Sequence, residues 1–145
     1  MLSNKAKYGL KAMLYLAERP ATGPIGILEI AQKQNIPKKF LDAILLELRR
    51  NGLVHSQKGR GGGYTLAHPA AEISVGRIIR ALDGPLAPIG CASKTAYRPC
   101  ADCRDVKACQ ARRLMLRVRN AMAGILDQTS LAEMLAMPDP ETLIA

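Results

Sequence analysis

The sequence is poor in aromatic residues. Its 145 residues include no tryptophan, and the aromatic residues make up 3% of the chain, whereas the hydrophobic residues together make up 48%. The core is therefore expected to consist of aliphatic side chains. The length suits one domain, or one domain with an added arm.

Long apolar runs are also missing. No stretch approaches the roughly 20 apolar residues that a membrane-spanning helix needs, and the N-terminal residues lack the pattern of a secretory signal. We therefore expect a cytoplasmic protein without membrane contact. In that compartment, clustered cysteines hold a metal or carry out redox chemistry more often than they form structural disulfides.

Signals for catalysis are missing as well. The sequence contains no dinucleotide-binding motif, no flavin motif and no catalytic set of histidines and carboxylates. Its two histidines, His55 and His68, lie in or beside a predicted hairpin, where a structural or surface role is the simplest interpretation. We therefore predict that the protein is not an enzyme.

Acidic residues are few, with 12 against 21 lysines and arginines, and the formal net charge is +9. Residues 1–66 contain eleven basic and four acidic residues, whereas residues 67–145 contain ten and eight. A basic excess concentrated in one half favours binding to a polyanion such as nucleic acid. Charge alone is equally compatible with a basic surface that has no partner.

Two short helices are predicted in the first half of the chain. Apolar residues at helical spacing predict helices over 27–34 and 37–50, joined by a tight turn at Asn35-Ile36-Pro37. Two short helices joined in this way form the helix-turn-helix pattern.

A hairpin is predicted directly after them, with strands over 54–58 and 64–67 joined by the glycine-rich tip 59–63. A hairpin in this position is a wing. We therefore predict a mainly α fold with a small β-hairpin, in which residues 1–82 form a winged helix-turn-helix domain and a long dimerisation helix follows.

The second helix of a helix-turn-helix enters the major groove of DNA. Lysines beside the free backbone N–H groups of its first turn suit phosphates or guanine edges. At the wing tip, Arg60 is flanked by glycines, which lets it approach a narrow minor groove closely. A solvated helix face and a floppy surface turn are the alternatives. The predicted DNA-binding residues are Lys38, Lys39, Phe40, Lys58, Arg60 and Gly61.

The second half of the chain is predicted to contain three segments after a helix that begins behind Ser74. Residues 83–108 are expected to form an irregular, cysteine-rich loop. Residues 109–137 are expected to contain a long helix and a short one that starts with a capping box at Ser130. Residues 138–145 are expected to form an irregular tail.

The long helix is predicted over 109–127, and its apolar residues recur at a spacing close to 3.5 residues. That spacing suits packing against a partner helix, so we predict a dimer seam. The alternative is a core helix packed on its own domain. The apolar stripe consists of Leu114, Val118, Ala121, Met122 and Ile125.

The four cysteines, Cys91, Cys100, Cys103 and Cys109, lie within 19 positions. Four thiolates can complete the ligand shell of a 2Fe–2S or 4Fe–4S iron–sulfur cluster or hold a structural zinc ion. A transient disulfide is a further alternative. The lysines and arginines around the cysteines would offset the charge of a bound cluster and would equally lower the pKa of free thiols, so they do not decide between these options.

Three stretches together resemble the IscR-type winged-helix transcriptional regulators, a family to which NsrR, RirA and CymR belong. The resemblance covers about residues 1–135. It implies a homodimer that binds double-stranded DNA at an inverted-repeat operator, often under the control of an iron–sulfur cluster. The stretches are Tyr8-Gly9-Leu10-Lys11-Ala12-Met13, then Phe40-Leu41 through Leu48-Arg49-Arg50-Asn51-Gly52-Leu53-Val54, and Gly59-Arg60-Gly61-Gly62-Gly63-Tyr64.

The resemblance also implies a ligand set. Two fourth ligands known from relatives are absent, because Arg112 stands where IscR has a histidine and Lys7 where NsrR has an aspartate. Cys100 is therefore the candidate fourth ligand. Alternatively, Cys103 is the spare cysteine, or three residues hold the cluster and one iron stays open. The cysteines that match the family's three are Cys91, Cys103 and Cys109.

The leading hypothesis is a transcriptional regulator whose operator binding is modulated by a cysteine-ligated iron–sulfur cluster that senses iron, redox or nitric oxide status. A zinc-stabilised or cluster-free regulator of the same fold is the alternative. An electron carrier would account for the cysteines but would leave the helix-turn-helix and the wing without a role.

Overall fold

The computed structural model describes residues 2–19 and 23–144, and residues 1, 20–22 and 145 lie outside the described part. The fold is mainly helical with one two-stranded antiparallel hairpin, as the sequence predicts. The helices are α1 (Asn4–Ala17), α2 (Ile27–Gln34), α3 (Lys38–Arg50), α4 (Val75–Asp83), α5 (Gln110–Gln128), α6 (Leu131–Leu135) and α7 (Pro140–Leu143), and the strands are β1 (Val54–Gln57) and β2 (Gly63–Leu66).

The core lies between α1, α3 and α4 and is aliphatic, with Met13, Ile44, Leu45 and Ile78 almost completely shielded from solvent. Gly9 allows α1 to pack closely against α4, because a Cβ atom at this position would lie 2.1 Å from Cδ1 of Leu82. The missing aromatic bulk is thus replaced by close helix packing.

Side-chain caps define several helix starts. The hydroxyl of Ser3 accepts a hydrogen bond from the backbone N–H of Ala6, and Ser74 caps α4 in the same way. Ser130 and Glu133 form the predicted capping box of α6. Elsewhere the bounds shift by one residue, because Pro37 and Cys109 are the N-caps of α3 and α5 rather than their first helical residues.

The wing is attached to the body by an additional bridge that sequence patterns do not indicate. Ile25 and Tyr64 exchange two backbone hydrogen bonds, with N···O distances of 3.0 and 2.8 Å. Gly63 is required at this point, because a Cβ atom there would lie 2.3 Å from the carbonyl oxygen of Ile25. The base of the wing is therefore held against the segment that leads into α2.

The chain returns to the core after α5. The backbone N–H of Leu131 donates to the carbonyl oxygen of Ile73 over 2.9 Å, and the Leu131 side chain is completely buried. In α5 itself, all of which the structure describes, Ala123 is the only buried residue. Thus α5 is fastened at its C-terminal end and is otherwise largely exposed.

The segment over 138–145 differs from the prediction. The tail contains the short helix α7, which begins where the carboxylate of Asp139 caps the backbone N–H of Glu141 and Pro140 occupies the first turn. Within the described residues, no helix is both long and apolar enough to cross a membrane.

Candidate DNA-binding surface and cysteine loop

The first turn of α3 presents basic and aromatic side chains to solvent. Lys38, Lys39 and Phe40 are all exposed, and 60% of the Phe40 surface is accessible. The opposite face of α3, which carries Leu41 and Leu48, is buried in the core. This division fixes the direction in which the three predicted DNA-binding side chains point.

Asp42 modifies the charge of this turn. The ammonium group of Lys38 donates to a carboxylate oxygen of Asp42 over 3.0 Å, and both side chains are about half exposed. Among the described residues, Lys39 has no acidic partner of this kind. The reading face of α3 therefore carries one paired and one unpaired lysine, with an aromatic ring beside them.

The wing tip is a defined turn. Gly59 and Gly61 have φ angles of 92° and 75°, a region that favours glycine. Gly62 has no room for a side chain, because a Cβ atom there would lie 2.1 Å from the carbonyl oxygen of Gln57. Arg60 and Lys58 are exposed on this turn. The glycines therefore hold Arg60 at the tip of a tight turn rather than on a floppy one.

A basic groove lies between the C-terminal end of α3 and the wing, and sequence reasoning missed it. Its volume is about 460 Å³. The guanidinium of Arg49 donates to the hydroxyl of Ser56 over 3.2 Å and so spans the two elements. The signal in the sequence was the pair of arginines at the end of the reading helix. The lining residues are Arg49, Gly52, Val54, His55, Ser56 and Lys58.

The four cysteines differ in exposure. Cys91 is buried in a short 3-10 turn, Cys100 is exposed, Cys103 and Cys109 are half-buried, and none of the four is in a disulfide. They share one loop, as predicted, but they do not have equivalent surroundings.

Two of the thiols are in contact. The Cys100 thiol is hydrogen bonded to the Cys91 thiol. The Cys91 charge raises the pKa of the Cys100 thiol above its ordinary value, because two thiolates side by side repel each other, and desolvation adds to this effect. Asp102 and Cys103 raise the pKa of Cys100 further. These three cysteines therefore lie near one another.

Cys109 is placed differently, at the N-cap of α5. Its sulfur accepts a hydrogen bond from the backbone N–H of Arg112 over 3.4 Å. The Nε atom of the same Arg112 donates to the carbonyl oxygen of Cys91 over 2.9 Å. Arg112, which sequence comparison excluded as a ligand, thus connects the first cysteine of the loop with the last.

The donor atoms suit a thiolate-bound metal or cluster in kind, since all four are cysteine sulfurs. In position they are not gathered around one point. Within residues 2–19 and 23–144, no three cysteine, histidine or acidic side chains form a group that could hold a metal ion. The structure brings Cys91 and Cys100 together and keeps Cys109 at the start of α5.

Comparison with known proteins identifies the family. The sequence model of the Rrf2 family, described as an iron-dependent transcriptional regulator, matches residues 2–137. A Rhodobacter capsulatus protein described as an rrf2-like HTH-type transcriptional regulator is 41% identical over 143 residues, which cover 97% of this chain and 95% of the relative.

Two solved structures are similar in fold. The structure of CymR, described as the global cysteine regulator of B. subtilis, has a TM-score of 0.77 and 34% identity, with coverage of 96% of this chain and 98% of CymR. T. potens IscR has a TM-score of 0.74 and 28% identity, with coverage of 99% and 96%. Because the family match spans nearly the whole chain and its winged-helix architecture, this protein belongs to the Rrf2 family of helix-turn-helix transcriptional regulators.

Proposed function

We propose that this regulator binds an inverted-repeat operator as a homodimer, and that an iron–sulfur cluster held by its loop cysteines controls that binding. Membership of the Rrf2 family makes the chain a DNA-binding transcriptional regulator and not an enzyme. The description of the family as iron-dependent supports an iron-containing signal. The remaining steps rest on the residues of this chain.

The proposed DNA contacts use both ends of the basic surface. The first turn of α3 enters the major groove, where Lys39 meets a phosphate or a guanine edge and the Phe40 ring contacts an apolar base edge. Arg60 on the rigid wing tip enters the neighbouring minor groove. The groove that contains Arg49 and Lys58 lies between these two elements, where it suits the intervening phosphates.

The proposed dimer uses the exposed face of α5. Leu114 and Ile125 are 53% and 67% exposed although both are large and apolar. At 100° per residue, Leu114 lies opposite Ala123, the residue of α5 that faces the core. The stripe thus faces away from the chain's own core, which favours a partner helix. A twofold dimer would present two reading helices to two half-sites.

The loop cysteines are coupled to the DNA-binding elements through α5. Arg112 joins the Cys91 backbone to the helix start that Cys109 caps, and this pair of contacts is the observation that carries the proposal. At its other end α5 is bound to α4 by Arg80 and Asp127. A change in the loop can therefore alter the orientation of α5 and with it the spacing of the two wings.

We propose Cys91, Cys100, Cys103 and Cys109 as the residues that would hold the cluster. When bound, the cluster would supply a group whose loss or oxidation changes which thiolates are ligated. Since the sulfurs are not gathered in this structure, the loop has to rearrange to bind it. The Cys109 sulfur would then have to serve both as a ligand and as the cap of α5, or exchange one role for the other.

The test is anaerobic purification and reconstitution of the full chain, followed by iron, sulfide and zinc analysis and a visible spectrum. DNA binding of the loaded and cluster-free protein is then compared on duplexes selected from a random inverted-repeat library. We expect bound iron and sulfide, and a different affinity in the two states. A colourless protein with stoichiometric zinc, or identical affinity with and without the cluster, would overturn the proposal.

A further inference from the structure

The cysteine loop is closed by a backbone contact. The N–H of Arg98 donates to the carbonyl oxygen of Gly90 over 3.1 Å. The two residues pack so closely that a Cβ atom at position 90 would lie 3.1 Å from both Cβ and the carbonyl oxygen of Arg98. Cys91 directly follows the first of these residues, and Cys100 lies two positions after the second. The closed loop therefore carries these two cysteines side by side.

The side chains agree with the backbone. The thiols of Cys91 and Cys100 are hydrogen bonded to each other. One is buried and the other is exposed, so a soluble oxidant reaches Cys100 first and finds Cys91 as the adjacent resolving thiol. The remaining half-buried sulfur at the start of α5, that of Cys109, is engaged as a helix cap.

We propose that Cys91 and Cys100 form a reversible disulfide when the loop holds no cluster. With a hydroperoxide such as hydrogen peroxide as the oxidant, the Cys100 sulfur attacks one peroxide oxygen, which gives a sulfenic acid and one molecule of water. The Cys91 sulfur then attacks the Cys100 sulfur and releases a second molecule of water. Two thiols lose two electrons and two protons in total, and the peroxide is reduced. A dithiol reductant reverses the bond.

The disulfide would also regulate the same loop. It removes two of the four proposed ligands, so the oxidised chain should not take up a cluster until it is reduced. This second consequence rests on the proposed function, whereas the disulfide itself follows from the geometry of the loop. The two can be tested separately.

The experiment uses the full chain, reduced, freed of metal and kept under anaerobic conditions before brief treatment with hydrogen peroxide. Free thiols are then blocked with iodoacetamide, and the protein is digested with trypsin and Asp-N protease. This combination separates the four cysteines, because Lys94, Asp102, Arg104 and Lys107 provide cleavage points between them. Mass spectrometry of the unreduced digest identifies the linked pair.

We expect the peptide with Cys91 linked to the peptide with Cys100, and a matching loss of iodoacetamide labelling at these two residues. Cys100→Ser should abolish the linked species, whereas Cys109→Ser should retain it. A dominant Cys100–Cys103 link, or no link at peroxide concentrations that consume the thiols, would overturn the proposal.

The cluster is assessed on the same samples. Iron uptake by the reduced chain but not by the oxidised chain supports both ideas. Absence of iron from both would count against the cluster alone, because the linked peptides would still be present. Equal iron uptake by the reduced and the disulfide-linked chains would overturn the regulatory consequence.

Discussion

The guanidinium of Arg80 on α4 holds the carboxylate of Asp127, one residue before the end of α5, through two hydrogen bonds, of which the one from Nη2 to Oδ2 is 2.9 Å long. Gly76 makes the approach possible, because a Cβ atom there would lie 2.1 Å from Oδ1 of Asp127. The pair orients the long helix relative to the helix that packs on the DNA-reading element. It is therefore the natural place to test whether the two parts are coupled.

Replacement of Asp127 by Asn should have a small, pH-dependent effect. Both side chains are about one-third exposed or more, so a loss of about 1 kcal/mol or less is expected in the free energy of unfolding. The hydrogen bond and charge of Arg80 lower the pKa of Asp127. Its contribution is therefore complete above the ordinary aspartate pKa of about 4 and is lost as the pH falls through the lower folded value.

Urea unfolding of wild type and Asp127→Asn across a pH series measures this difference. It should be constant near neutrality and vanish in acid. Glu141→Gln is the matched control, since Glu141 on α7 is exposed and forms no ion pair among the described residues. A difference between wild type and Asp127→Asn that stays the same in acid would contradict the prediction.

The wing tip should contribute to DNA affinity through a single side chain. Arg60→Ala is expected to cost about 1–3 kcal/mol of binding free energy and to relax sequence preference at the contacted position. Lys58→Ala should instead lower the slope of log affinity against log salt concentration by about one. Fluorescence anisotropy with a labelled operator over a salt series separates the two effects.

A suitable control for the wing variants is Lys94→Ala, which removes an exposed positive charge from the cysteine loop. Circular dichroism should show that all three variants keep their fold. If Arg60→Ala binds with wild-type affinity, insertion of the wing into the minor groove is wrong.

Arg112 should be required for order in the cysteine loop. Arg112→Ala removes the hydrogen bond to the carbonyl oxygen of Cys91, so faster hydrogen exchange is expected over residues 90–100. Arg112→Lys should not restore protection, since an ammonium group cannot reproduce the donor geometry of Nε. Exchange followed by mass spectrometry measures the change segment by segment.

Arg113 provides the matched comparison for this measurement. Its guanidinium donates to the carbonyl oxygen of Lys107 over 3.2 Å, so Arg113→Ala removes the same charge and one side-chain contact in the next turn of chain. Loss of protection near Lys107, with the 90–100 segment unchanged, is expected. Equal effects of both variants on that segment would show that Arg112 has no special role.

The apolar stripe of α5 should determine the oligomeric state. Ile125→Asp places a charge in the proposed seam and should shift the protein from dimer to monomer in light scattering coupled to gel filtration. Asn120→Asp adds the same charge on an exposed part of α5 that lies away from the stripe and should leave the dimer intact. A monomeric wild type, or a dimeric Ile125→Asp, would contradict the proposed interface.

The features that sequence analysis predicted are those encoded over a few neighbouring residues. The spacing of Leu41, Ile44 and Leu48 identifies the buried face of α3 and therefore the exposed face that carries Lys39. Capping residues and glycines mark helix ends and the wing in the same local way. These signals act within one or two turns of chain, so they can be recognised without knowledge of the rest of the fold.

The contacts that relate one element to another came only from the tertiary structure. Periodicity shows that a face is buried or exposed, but it does not identify the partner. The Arg80–Asp127 pair spans 47 positions and the contact of Arg112 with Cys91 spans 21. For the same reason, the sequence alone determined that four thiols share one loop, and only the folded chain decided which two of them touch: the closure of the loop at Gly90 and Arg98 sets that distance.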